Sequence, residues 1–430
     1  MVVRAACLGM LLVAAPATSL ATSLEEAIRS TLSTNPDILA SEYSVDAADE
    51  VRKQARGGYF PSLDLVIAGG REESNNTTTL AAGTPDLRLT RKERSLRLTQ
   101  RIYDGGATIN AVRQQTALAD AAVARLADTR QSVSLRAIQV YLEVLRRDEI
   151  VSLAEDNLEQ HEDTLNKITE RFESGVGTRV DVVQTQGRRS QAKSNLLLAQ
   201  RDAKNGRAEY YRVVGLSVDS LSKPAAAGGV PQTLEAALAL ASDNNPGLAA
   251  AAARLEAAAA ARKQAGGAFH PRVDLELGAT RNDDLDGVIG ANDDESAVVR
   301  VSYNLFRGGA DQARRNEAEA REFAAREVLR SNELAVEEDV TLIWNELQDI
   351  LVRLEYLEAH VRATEEVVAV YEDQLTLGKR TLLDLLDVKN ELLRANIAYV
   401  SGQYALMLAR YRLLAGTGQL LDAMAIDPEG

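Results

Sequence analysis

The stretch "SGVGTRVDVVQ" (Ser174–Gln184) returns as "LGKRTLLDLLD" (Leu377–Asp387). Glycine falls on glycine (Gly175, Gly378), threonine on threonine (Thr178, Thr381) and aspartate on aspartate (Asp181, Asp384), each pair 203 positions apart. The repeat continues upstream. "SLEEAIRSTLSTNP" (Ser23–Pro36) matches "TLEAALALASDNNP" (Thr233–Pro246), and "ARGGYFPSLDLVIAGG" (Ala55–Gly70) matches "AGGAFHPRVDLELGAT" (Ala265–Thr280), both at an offset of 210. "RIYDGGA" (Arg101–Ala107) then meets "NLFRGGA" (Asn304–Ala310) at 203, so the second copy is seven residues shorter between its strand segments, where a loop tip tolerates deletion. Self-similarity at a period of about 200 residues means two copies of one domain plan, not a solenoid of short units. The copies span 22–220 and 233–430, joined by the linker "LSKPAAAGGVPQ" at 221–232.

Each copy reads helix, strand, strand, very long helix, turn, helix. Ser23-x-x-Glu26 opens the first helix as a capping box. Leu63, Leu65 and Ile67 alternate with Asp64 and Val66, and Val273, Leu275 and Leu277 alternate with Asp274 and Glu276. Val299, Val301, Tyr303 and Leu305 alternate with Arg300, Ser302 and Asn304, the period of two of a half-buried strand. Strands are expected at about 62–70, 94–103, 273–281 and 296–306, separated by the polar loops "REESNNTTTLAAGTPD" and "NDDLDGVIGANDD". A soluble antiparallel sheet fits this alternation, but runs of roughly 9–11 residues between long polar loops also suit tilted membrane strands. Long helices are expected at about 107–172 and 310–375. Ile343, Leu347, Ile350, Leu354, Leu357 and Val361 step by four and three, as in a coiled-coil seam. At the hairpin turns, 174–181 and 377–384, Gly175 and Gly378 suit a left-handed helix stop. Thr178-x-x-Asp181 and Thr381-x-x-Asp384 suit helix restarts as capping boxes.

Composition narrows the partners. Aromatic residues make up 4% of the 430 residues, too few for a large globular core, and a formal charge of −14 argues against nucleic acid. Residues 1–21 read as a signal peptide: Arg4, the apolar run Ala5–Ala15, and Ser19-Leu20-Ala21 as the cleavage site. The single cysteine, Cys7, lies inside it, so no disulfide or thiolate metal site is expected in the mature chain. Beyond the leader no apolar run approaches the roughly 18 residues of a spanning helix, so only strands or a surface helix could enter a membrane. The three histidines (His161, His270, His360) are scattered and read as surface or seam residues. No phosphate loop and no nucleophile–base pairing is found. An enzyme, a cofactor and a metal centre are not expected.

Four strands cannot close a barrel, and an open sheet edge is untenable in lipid. Three chains would supply twelve strands, an ordinary barrel size. The duplicated plan, the "NP" pairs, the strand openings "FPSLDL" and "FHPRVDL", and "GKRTLLDLLD" together resemble the TolC family of outer-membrane channel-tunnels, over essentially the whole mature chain.

The resemblance implies an α+β membrane protein. Long α-helical coiled-coil hairpins and four transmembrane β-strands per chain would form a trimeric 12-stranded β-barrel and an α-helical periplasmic tunnel. It implies a homotrimer in the outer membrane of a Gram-negative cell, working with a periplasmic adaptor and an inner-membrane ABC or proton-driven transporter. It also implies that the tunnel narrows at the second-copy turn. There Asp384 and Asp387 would form the constriction, and their carboxylates could attract blocking cations. Arg380 would hold the entrance closed with Asp181 as partner. A tyrosine that helps this closure in the family falls at about Leu375, a departure from the pattern. "REESNNTTT" resembles members serving type I protein secretion. Drug efflux is the alternative, and a soluble periplasmic coiled-coil scaffold a more distant one.

Overall fold

The computed structural model describes residues 21–217 and 220–427, so the expected leader, apart from its last residue, lies outside the described residues. The first copy runs α1 (Leu24–Thr34), α2 (Pro36–Gly57), β1 (Ser62–Ser74), α3 (Thr77–Ala81), β2 (Leu87–Tyr103), α4 (Ala107–Glu173) and α5 (Arg179–Val214). The second runs α6 (Leu234–Asn244), α7 (Pro246–Gly266), a 3₁₀ turn (Gly267–Phe269), β3 (Arg272–Leu285), β4 (Val288–Ser302), α8 (Ala310–Thr376), α9 (Leu382–Gly416) and α10 (Leu420–Ala423).

Local chemistry explains the breaks. The "NP" pairs split α1 from α2 and α6 from α7, because proline is pre-set for the first helical position and the asparagine before it caps the new helix. Asn35 accepts from the Asp37 N–H, and Asn245 from the Leu248 N–H. Each amide also donates across the fold, Asn35 Nδ2 to Val213 O at 3.1 Å and Asn245 Nδ2 to Gly416 O at 3.2 Å. The duplicated motif thus pins each second helix to the end of its own returning helix.

The four strands form one antiparallel sheet in the order β1-β2-β3-β4. Its register puts Leu63, Leu98 and Leu277 in one row and Leu275 beside Val299. The apolar side chains therefore share one face, and Leu65, Ile67, Val299 and Val301 are about two-thirds exposed. The opposite face carries Arg97, Arg101, Asp274, Glu276 and Arg300, with Arg300 Nε 2.7 Å from Glu276 Oε1. Tyr59, Phe60, Tyr103, Tyr303 and Phe306 are exposed at the helix-facing end of the strands, where aromatic residues mark a membrane interface. Among the described residues no helix is long and apolar enough to cross a membrane.

The strands differ from expectation at their outer ends, and β4 at its helix-facing end as well. β4 starts at Val288 and stops at Ser302, rather than covering 296–306, and "NDDLDGVIGANDD" is not a loop. Asp286 (φ 53) and Gly287 (φ 78) both take left-handed conformations, so Asp-Gly makes a tight two-residue hairpin and the ladder runs to its tip. The first loop is likewise shorter than its polar stretch. β1 and β2 extend to Ser74 and Leu87, and α3 folds over the second hairpin, with Asn76 Nδ2 donating to Asp286 O at 2.9 Å.

Below the sheet α2, α4, α7 and α8 pack side by side in the same order as the strands they continue. α4 and α8 each hold 67 residues, on the order of 100 Å at about 1.5 Å per residue. The principal core lies midway along them. Leu24, Ile28, Ile138, Tyr141, Tyr210 and Leu414 are fully buried there. The Tyr141 hydroxyl lies 2.6 Å from Ser222 O and 2.9 Å from Thr22 O, which ties the linker to the start of the first copy.

Candidate functional site

The ends of the two hairpins carry the residues singled out in the sequence. Each turn is a Schellman stop. Gly175 (φ 80) donates to Phe172 O and Val176 to Arg171 O; Gly378 (φ 70) donates to Leu375 O and Lys379 to Gln374 O. Each helix then restarts on a capping box. The Asp181 N–H donates to Thr178 Oγ1, and the Thr178 N–H returns to Asp181 Oδ2, both at 3.2 Å. Thr381 and Asp384 repeat this at 3.3 Å. Ile168, Leu375, Leu382, Leu386 and Val182 join the two tips in one apolar cluster. Leu375 is therefore packing material between hairpins.

The charged residues around this cluster are paired more fully than the sequence indicates. Arg380 stacks its guanidinium 4.5 Å from the centre of the Tyr371 ring, donates to Gln374 Oε1 at 3.1 Å, and stands 3.8 Å from Asp384. Tyr371 thus supplies an aromatic partner one helical turn before Leu375. Asp387, whose first-copy counterpart Gln184 carries no charge, is held by Arg188 of α5 at 2.6 Å. Lys389 is buried and reaches Glu372 at 2.7 Å. Within one chain Arg380 and Asp181 are not brought together, since every hydrogen bond of Asp181 is local to its helix start or its own turn. His161 is fully buried beside this network, with no hydrogen-bond partner on either ring nitrogen. Burial first, then the charges of Lys389 and Arg188, hold its imidazole below the usual range.

Sequence reasoning overlooked Arg188, Tyr371, Gln374 and the Lys389–Glu372 pair. The repeat held a signal for Arg188. Asp387 aligns with Gln184, and Arg188 lies one turn beyond Gln184, so two copies packed side by side set Asp387 and Arg188 at similar heights.

Comparison with known proteins decides the family. The outer membrane efflux protein family matches residues 27–216 and again 237–419, one match to each copy. The chain belongs to that family. It is an outer-membrane export channel of the kind its sequence resembles. Outer membrane efflux protein BepC of Brucella suis is 27% identical over 94% of this chain and 86% of its own length. Alkaline protease secretion protein AprF of Pseudomonas aeruginosa is 24% identical over 90% of this chain and 82% of its own. The solved structure of the outer membrane protein VceC from Vibrio cholerae shares the fold at a TM-score of 0.79, with 21% identity over 92% of this chain and 96% of that one.

Proposed function

We propose that three copies of this chain close into one exit duct, a twelve-stranded barrel set on a ring of helices, which receives cargo from an inner-membrane transporter through a periplasmic adaptor. The observation that carries this reading is the open sheet. The part of its outward face nearest the helices is apolar and exposed, and both β1 and β4 are left as edges, which in lipid must find partners. Mass measurement of the detergent-extracted protein tests it. Three chains in an SDS-resistant particle are expected; a stable monomer would end the proposal.

The paired tips are the proposed entrance. Asp384 and Asp387 line its constriction, and Arg380 links to Asp181 of the neighbouring chain when the entrance is shut. This assignment is supported by the side-by-side tips and by the exposure of both carboxylates. The charge there is not six free carboxylates, because each acid has an arginine within reach in its own chain. Cations should therefore bind mainly when the arginines are displaced.

For cargo, protein secretion of the type I kind is the first reading, supported by the likeness to a protease secretion protein. Small-molecule efflux is the second, supported by the likeness to BepC. Deletion of the gene separates them. Loss of an exported protein from the medium with unchanged drug susceptibility favours the first, and the reverse pattern favours the second.

A further inference from the structure

An open cavity of about 970 Å³ lies where the sheet meets the helices. Its floor is the alanine face of α7, Ala257, Ala258, Ala261 and Ala265, and its walls come from α4 and α8. Small side chains recess α7 between its longer neighbours. Around this apolar floor stand six arginines: Arg101, Arg254, Arg272, Arg307, Arg314 and Arg321. The strand register places Arg101 and Arg272 on the polar face of the sheet with Asp274 and Arg300, so the cavity opens on that face. In the duct proposed above, on which this inference rests for its direction, that face is the lumen.

Four of the arginines are already engaged. Arg272 Nε lies 2.6 Å from the buried Asp274, which Arg101 approaches at 3.8 Å. Arg307 stands 3.7 Å from Asp311, and Arg321 holds Glu317 at 2.6 Å. Arg254 on α7 and Arg314 on α8 are exposed and have no acidic partner among the described residues. A chain of net charge −14 thus keeps two unmatched guanidiniums in a recessed, arginine-rimmed concavity. Guanidinium forks bind oxyanions in bidentate fashion.

We infer that this cavity is a binding site for multivalent oxyanions inside the duct, with Arg254 and Arg314 as the residues that take the ligand's carboxylate or phosphate groups. A threefold ring would repeat the site around the lumen and favour ligands carrying several anionic groups, either an acidic peptide segment or a small polyanion.

The test is calorimetric titration of the detergent-purified, full-length protein at low ionic strength with two probes, deca-aspartate and tripolyphosphate. At least one is expected to bind, at least about tenfold more weakly to the Arg254→Gln/Arg314→Gln protein, and more weakly with added salt. Binding of deca-aspartate alone assigns the site to acidic peptide, and of tripolyphosphate alone to small anions. A variant at the outer sheet tips, Arg71→Gln/Arg88→Gln, should bind like the parent. An SDS-resistant oligomer confirms that each variant assembles. Single Arg314→Gln, on an exposed helix face, serves if the double variant does not assemble. No binding by the parent, or equal binding by the cavity variant, overturns the inference. Because binding is read without current, its failure in a conducting channel leaves the duct standing. Binding by a protein that never conducts would instead remove the duct.

Discussion

Asp387 and Arg188 set the charge at the hairpin tips. The pair is exposed, so its removal should change stability little, within about 0–1 kcal/mol, yet at the proposed entrance it would set how much negative charge a cation meets. In planar-bilayer recordings, Arg188→Ala should leave Asp387 free and let hexamminecobalt block from the entrance side at lower concentration than in the parent. Asp387→Ala should weaken the block. Identical block in all three would place the constriction elsewhere. His161 acts on stability instead. Its imidazole faces Lys389 and Asn390 of α9 and Arg188 of α5 in a buried seam and is held below the ordinary value of about 6.5. Above that pH folded and unfolded chains both keep it neutral. Below it the unfolded chain takes a proton that the folded chain refuses, so stability falls as pH drops through about 6.5 and on to the lowered folded value. His161→Leu removes this term. The variant should lose less melting temperature than the parent between pH 7.5 and 5.5, and an equal loss would assign the acid sensitivity to other groups.

At the scale of elements, the strand faces differ in what they tolerate. Val299→Arg puts a charge inside the exposed apolar band, which costs about 2–4 kcal/mol near a bilayer midplane and should cut the yield of assembled oligomer sharply. Arg300→Gln, on the polar face, should assemble normally. Equal yields would remove the membrane reading of the sheet. Asp274 shows where alternation alone misleads. Its face reads as solvent-lined and therefore permissive, but Asp274 is buried and approached by both Arg272 and Arg101, so Asp274→Ala should destabilise by removing the buried carboxylate that holds the two arginines. The helices were legible because four-and-three spacing and duplicated caps point the same way. The strand tips were not. Asp286-Gly287 is a hairpin signal that reads as part of a loop because of the acids on either side, and only strand pairing gives their backbone a ladder to join. At the candidate site the turns and caps were legible because both copies carry them. Asp387 and Arg380 stood out as charged side chains that the first copy lacks, but their partners Arg188 and Tyr371 are fixed only by the packing of the folded tips.

For the whole molecule, the two sheet edges make the assembly testable chain by chain. Leu65 on β1 and Val299 on β4 share the outward face, and within one chain β2 and β3 lie between them. Three strand spacings are about 14 Å, beyond the reach of a disulfide. The only natural cysteine is Cys7. Leu65→Cys combined with Ala297→Cys, Val299→Cys or Val301→Cys should therefore give covalent trimers on oxidation, at whichever pairing matches the register between chains. Monomers from all three combinations would mean that the edges do not meet. The outer tips carry a practical consequence. α3 presses on the second hairpin so closely that a side chain at Gly287 would run into Thr79, whereas Gly83, just past α3, has open space around it. A foreign peptide spliced in after Gly83 would ride outside the cell in three copies around the mouth, turning the duct into a display scaffold. The same graft at Gly287 would pry the rim apart.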